Sequence, residues 1–315
     1  MRVGEEIAPR TAFGEALVSL GEEDPRLLVL DGDVATSTQT HLFRKRFPER
    51  FIEVGIAEQN MVGIAAGLST MGFVPWVSTF AVFLTKRAGD QVRNAVAQPR
   101  ANVKLNGSYA GLPTGRAGAT HSAVEDIAVM RCMPNLTILV PADPRETAIC
   151  TRLATQLDGP VYLRTVRCPV PVIFPEDHRV EVGRAARLTE GTDVALISTG
   201  MMTPRAKVAV ELLRSQGVSV RHLHMATVKP LDGEAVRDAA ESIGLIVTVE
   251  NHSVIGGLGG AVCEAVAEAA PCRVRRLGYR DIFLEGGDDE VLFGQYGLTA
   301  ETISRAVTDF LKERR

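Results

Sequence analysis

The sequence has no run of about 18 apolar residues, so no membrane-spanning helix is expected. It has little excess charge. Its 35 Lys and Arg against 38 Asp and Glu leave a net charge of −3. No Lys/Arg block is present to follow a phosphate backbone, which argues against nucleic acid as a partner. Cysteine is scarce: Cys132, Cys150, Cys168, Cys263 and Cys272 make an odd count with no Cys-x-x-Cys pair. That argues against a zinc site or disulfide framework and suits a reducing cytoplasm. Met1 to Arg10 carries two Glu and no apolar stretch, so no secretory signal is expected there. The six histidines are not clustered, and His222 and His224, two apart on one strand face, read as structural. No metal site is expected within the chain. Short-period repeats and low-complexity tracts are also missing.

What the chain does have is apolar residues, 45% of 315, alternating strand-like and helix-like runs. This predicts an α/β protein of two domains with mainly parallel sheets, residues 1–180 and 181–315. Strands are expected at Leu27–Leu30, Phe51–Val54, Val74–Ser78, Asn102–Leu105, Thr137–Val140 and Val161–Arg164. Helices are expected at Thr11–Leu20, Glu58–Thr70, Glu125–Cys132 and Pro144–Gln156, with another running through Asp90 and Arg93. Three prolines within Pro169–Pro175 break regular structure and predict the linker. Beyond it, strands are expected at Val194–Ile197, Val218–Leu223, Leu245–Val249 and Arg273–Leu277, with a closing helix over Thr299–Lys312. The run Gly256 to Gly260 has the look of a dinucleotide fingerprint. Alone it is weak, and helix–sheet packing is the preferred reading.

Glu58 is the residue with most to explain. It follows the strand-like Phe51–Val54 and opens a helix of small apolar residues, Val62-Gly63-Ile64-Ala65-Ala66-Gly67-Leu68. A carboxylate so placed is expected to be buried, and an unpaired buried carboxylate must protonate, find a partner or serve chemistry. The ordinary alternative is a helix N-terminal carboxylate stabilised by the helix dipole. In open α/β sheets ligands bind beyond the carboxyl ends of strands. Asp33, Glu58, Phe80 and the Gly107–His121 loop all fall at such ends, converging on one site.

The run Ile56-Ala57-Glu58-Gln59-Asn60-Met61, followed by Ser78-Thr79-Phe80-Ala81-Val82-Phe83, resembles the pyrimidine-binding domain of transketolases. So do Asp31-Gly32-Asp33, Gly118-Ala119-Thr120-His121, Pro141-Ala142-Asp143 and Val228-Lys229-Pro230-Leu231-Asp232, in order from about Arg10 to the C-terminus. The resemblance implies thiamine diphosphate as cofactor and transfer of a two-carbon ketol unit between sugar phosphates. It implies that Glu58 hydrogen-bonds a nitrogen of the aminopyrimidine ring and that Phe80 and Phe83 stack against that ring. It further implies that His121 contacts cofactor and substrate. Arg10, Ser37 and Arg164 match phosphate- or sugar-binding positions, where a guanidinium fork suits phosphate oxygens. Surface ion pairs are the ordinary alternative for the two arginines.

Two departures bear on substrate. Transketolases carry Glu-Asp-Gly where this chain has Arg116-Ala117-Gly118, and that Asp contacts a donor hydroxyl. Tyr109 stands where the family has a substrate-binding His. The Gly-Asp-Gly element of the diphosphate- and Mg²⁺-binding domain occurs nowhere in the sequence. The resemblance therefore implies the smaller-half subunit of a split transketolase, with Mg²⁺ ligands on a separate chain carrying the diphosphate domain. Association into a dimer or heterotetramer and inactivity when alone are expected. The small-residue helix after Glu58 suits close packing against such a partner. Competing readings are a 2-oxo acid dehydrogenase β-type subunit, a 1-deoxyxylulose-phosphate synthase-like subunit, and a non-catalytic regulatory partner.

Overall fold

A computed structural model describes residues 1–112, 114 and 117–313. The expected departure at Arg116 lies outside the described residues. The chain is α/β with mostly parallel sheets. Its strands in chain order are β1 (Glu6–Ile7), β2 (Leu27–Asp31), β3 (Phe51–Glu53), β4 (Val74–Phe80), β5 (Lys104–Ser108), β6 (Thr137–Leu139), β7 (Val161–Arg164) and β8 (Val170–Pro171). They continue as β9 (Ala186–Thr189), β10 (Val194–Ser198), β11 (Val220–His224), β12 (Thr227–Lys229), β13 (Leu245–Ser253) and β14 (Arg273–Tyr279).

The first sheet has the order β12-β6-β7-β5-β4-β2-β3. Every pairing is parallel except β12 with β6. Helices on both faces explain why its central strands are continuous apolar runs. In β2, Val29 packs with Phe13, Leu17 and Trp76 beneath helices Pro9–Glu23 and Pro144–Gln156. Its neighbour Leu30 packs on the opposite face with Met61, Val62 and Ala65 of helix Glu58–Thr70. Pro at the first turn and Asp143 as N-cap, accepting from the Glu146 amide at 2.7 Å, set the start of helix Pro144–Gln156. The stretch through Asp90 and Arg93 is helical but irregular, with π-type turns at Phe83–Arg87 and Val92–Ala97. The first of these turns carries residues of the site, as such turns often do.

The second sheet, β14-β13-β10-β11-β9, is parallel with an antiparallel edge at β9. The two sheets are not separate along the chain. β12, from the second half, closes the edge of the first sheet, pairing Thr227 with Leu139. The proline-rich connection also differs from expectation. Val170 and Pro171 pair with Ile7 and Glu6 as a two-stranded ribbon. A ribbon with two free edges tolerates the amide that Pro171 lacks. His222 and His224 are buried, as expected of structural histidines. His224 Nε2 lies 2.8 Å from Glu146 Oε2, a bond between the halves, and His222 Nε2 lies 2.7 Å from Ser198 Oγ. Among the described residues no helix is long and apolar enough to cross a membrane.

Candidate functional site

β2, β4, β5 and β7 end side by side because they are parallel neighbours, so the segments leaving them share one rim. Helix Glu58–Thr70 begins there, and the Glu58 side chain is only 1% exposed. Of the outcomes open to a buried carboxylate, this one has found a partner. Arg87 Nη1 donates to Glu58 Oε1 at 3.0 Å and to Oε2 at 2.8 Å. Arg87 sits 29 residues on, in the π-type turn, and its guanidinium lies 4.5 Å from the Phe83 ring centroid.

From Phe83 the contacts run along the rim. Phe83 and Phe80 are 5.9 Å apart between centroids, and His121 stands edge-on to both, at 5.3 Å and 6.0 Å. Tyr109 stacks on Phe80 at 4.3 Å with a 27° tilt. Arg10 Nη1 then donates to Tyr109 Oη and to the Ser37 carbonyl, each at 2.9 Å. The structure thus brings Glu58, Phe83, His121, Phe80, Tyr109, Arg10 and Ser37 into one continuous band. Ser37 meets Arg10 through its backbone, not its hydroxyl.

Tyr109 has a left-handed backbone (φ 57°), uncommon for a bulky residue. Its ring borders an open cavity of about 510 Å³ with Phe80, Thr114, Ala117, His121 and Arg167, lined on its other side by 287–289 from the second half. Asp31 accepts from the Val34 amide (2.7 Å) and from the hydroxyls of Thr38 (2.9 Å) and Thr40 (2.7 Å), which folds the turn presenting Ser37. Burial, opposed by these bonds, pushes the Asp31 carboxyl up to about 6.

Arg164 is not brought to this band. Its side chain is 3% exposed, and its Nε and Nη2 donate to Asp126 at 2.8 Å and 3.1 Å. Nη2 also reaches the Asn251 carbonyl at 2.9 Å. With Nε and Nη2 committed to these partners and the side chain buried, the fork is turned toward Asp126 and Asn251 and away from the band, contrary to the expected phosphate contact. The residue that sequence reasoning passed over is Arg167, three positions on, exposed, lining the cavity with its guanidinium 5.8 Å from the Tyr109 ring centroid. The Gly-rich run behaves as packing predicts. The Leu258 and Gly259 amides at the helix start donate to the buried Glu250 carboxyl group, at 2.7 Å and 2.8 Å, so the chain's own side chain occupies the place of a phosphate.

The residues fit a planar heteroaromatic ligand with an anionic partner. A buried carboxylate lies beside an aromatic wall. Among the described residues Thr79 Oγ1 and Ser108 Oγ at the same strand ends, and Arg10 Nε at the start of helix Pro9–Glu23, are buried without a protein partner. Among the described residues no group of three or more His, Cys, Asp or Glu could hold a metal ion.

Residues 5–171 match the family model of the transketolase pyrimidine-binding domain, and residues 183–303 match that of the transketolase C-terminal domain. The chain is 39% identical to 6-deoxy-6-sulfo-D-fructose transketolase subunit SqwH of Clostridium sp. (strain MSTE9), covering 97% of this chain and 95% of that protein. It is 38% identical to a subunit of the apulose-4-phosphate transketolase of Phocaeicola vulgatus, covering 98% of each. A solved split-gene transketolase, described as an inactive β4 tetramer, superposes with a TM-score of 0.90 at 44% identity, covering 99% of this chain and 100% of that one. The chain belongs to the transketolase family, which depends on thiamine diphosphate.

Proposed function

We propose that this chain is the smaller-half subunit of a split transketolase, transferring a two-carbon ketol unit between sugar phosphates only when joined to a chain that carries the diphosphate domain. The observation that carries this is the buried Glu58 carboxylate beside the Phe83–His121–Phe80 wall. Split relatives with named subunits and a solved tetramer support a separate partner. Those relatives act on different sugars, so the substrate is read from this chain's own rim.

Bound thiamine diphosphate supplies a carbon nucleophile for ketose carbonyls. Glu58 would hold a proton against a nitrogen of the aminopyrimidine, in a site from which burial excludes bulk water. Phe83 and Phe80 would pack against its face, contributing about 0.5–1.5 kcal/mol beyond area burial. His121 would donate to cofactor or sugar oxygens. Arg10, Tyr109 and Arg167 would hold the anionic end of the sugar, with Ser37 fixing Arg10 through its carbonyl. Mg²⁺ would be held by the partner chain.

The test is ketol transfer from a panel of ketose phosphates, with pyruvate as a control donor, by the chain alone and with its partner. Activity is expected only with the partner and only from ketose donors. Glu58→Gln keeps the side-chain shape and should lose at least ~10²-fold in rate, the usual scale of general acid–base catalysis. Near-normal turnover by this variant would refute the assignment.

A further inference from the structure

We propose that Asn251, in the second half of the chain, is a positioning residue for the candidate site. It holds the turn that aims Tyr109 at Phe80. The proposal rests on the reading of Tyr109 as lining the sugar site.

β13 runs past its neighbour β10, which pairs with it only through Val249, so Asn251 overhangs toward the first half. Asn251 is 2% exposed, and its amide is engaged on both sides. Oδ1 accepts from the Leu112 amide at 3.0 Å and from Tyr279 Oη at 2.6 Å. Nδ2 lies 3.1 Å from Met201 Sδ and 3.5 Å from the Ala110 carbonyl. The Leu112 amide can only donate, and the Met201 thioether and the Ala110 carbonyl can only accept, so the orientation of the Asn251 amide is determined.

The turn it grips is short and strained. Tyr109 is left-handed at φ 57°, and the next three residues each place their amide in a fixed bond. Ala110 N donates to Thr165 O at 3.2 Å and Gly111 N to Ala123 O at 2.8 Å, both within the first half. The third bond, from Leu112, is the one Asn251 supplies. Gly111 shows how close the approach is. Its φ is +75°, and a Cβ there would run into the Asn251 side-chain amide. Only glycine lets the two halves meet at this point without displacement. Without Asn251 the Leu112 amide loses its buried acceptor and the turn loses its third tie. Tyr109 would then be free to relax out of the left-handed region and away from both Phe80 and Arg10.

Hydrogen exchange on the full chain, assembled with its partner, tests this. In Asn251→Ala, exchange across 109–112 should quicken by about tenfold or more, the effect of one lost buried bond. Peptides from β10 and β2 should be unchanged. Asn251→Asp keeps an acceptor for Leu112 but turns a second oxygen toward the Ala110 carbonyl and Met201 Sδ, so it should restore protection only at a pH low enough to protonate that carboxyl. Tyr279→Phe, which removes only one donor to Oδ1, should give a smaller change in the same peptide and serves if the alanine variant does not fold. In ketol transfer, Asn251→Ala should raise KM for the sugar phosphate by about tenfold and leave kcat within about threefold. Unchanged exchange at 109–112, or a rise shared by both sheets, overturns the proposal. A wild-type complex inactive on every sugar phosphate would sink the functional reading, and the exchange result would still decide Asn251.

Discussion

One guanidinium nitrogen, Arg87 Nη1, spans both carboxylate oxygens of Glu58, at 3.0 Å and 2.8 Å. The two partners sit in different surroundings: the Glu58 side chain is 1% exposed and that of Arg87 43%. Removing Arg87 leaves a buried charge unpaired, whereas removing the charge leaves an arginine that water can reach. Arg87→Met should therefore destabilise the chain by about 1–3 kcal/mol, below the figure for fully buried pairs because Arg87 is part-solvated. The double variant Glu58→Gln/Arg87→Met should recover most of that loss. Urea unfolding of the four proteins of the cycle measures it, and an Arg87→Met single variant as stable as wild type would show that the pair is not coupled.

Arg164 and Arg167 should behave as opposites. Arg164 and Asp126 are both buried and paired at 2.8 Å, so Arg164→Met abandons a carboxylate in the interior. A loss of about 3–5 kcal/mol in stability is expected, with little folded protein recovered. Arg167→Met should fold normally and raise KM for sugar phosphates about tenfold, the scale of a lost charge-assisted bond. Thermal melts paired with steady-state kinetics separate the two outcomes.

That pair shows where sequence reasoning stopped. Two arginines three apart at a strand end are equivalent as text. Which one turns inward is decided by Asp126, a contact between residues 38 positions apart. Glu58 could be read as buried from the apolar helix after it, but Arg87 could not be named as its partner, because an irregular π-type turn sets its direction. The alternating α/β pattern, and the strand ends where the site lies, followed from apolar runs and their spacing. β12 did not, since three residues ahead of a proline carry almost no strand signal, and their pairing with β6 comes from the way the halves dock. Asn251 stayed hidden for a related reason. Its role depends on strand overhang and on the missing side chain of Gly111, and neither shows in the residues around it.

Glu250 gives a pH prediction. Burial, offset in part by the Gly259 and Leu258 amides, raises its folded carboxyl from 4.5 to about 7. Between those values the folded state binds the proton that the unfolded state has released. The Glu250 contribution therefore falls as pH rises from about 4.5 to about 7 and is flat outside that window. Glu250→Gln cannot ionise, so its stability relative to wild type should improve across the same window, by at most about 3 kcal/mol. Urea titrations of both proteins at pH 4.5, 6 and 7.5 test this. A stability difference independent of pH would mean that Glu250 does not titrate there.

Tyr109→Phe isolates one bond at the rim. The ring stack on Phe80 should survive, while Arg10 loses its 2.9 Å contact with the phenol oxygen. Arg10 keeps the Ser37 carbonyl and so keeps part of its aim. KM for the sugar phosphate should rise about three- to tenfold, the range of a single hydrogen bond, with kcat nearly unchanged. Arg10→Met removes the charge as well and should cost more. If the two variants are equal, the phenol carries the whole effect, and the guanidinium does not touch substrate.

The proposed partner needs a face to bind, and helix Glu58–Thr70 offers one that starts at the site itself. Positions 63 and 67 are exposed glycines with nothing within 4 Å of where a Cβ would stand, and the exposed Ile56 and Met71 flank the helix. Glycine in a helix interior costs about 1 kcal/mol relative to alanine, so replacing it should not destabilise the isolated chain. Gly63→Arg should therefore melt at or above the wild-type temperature. On a face that packs closely against another chain, the same side chain would hold the two apart. Sedimentation of the variant should show loss of the assembled species, and ketol transfer with the partner should fall in proportion. A Gly63→Arg chain that assembles and turns over like wild type would move the contact to another surface and leave Glu58 facing its cofactor without a partner helix alongside.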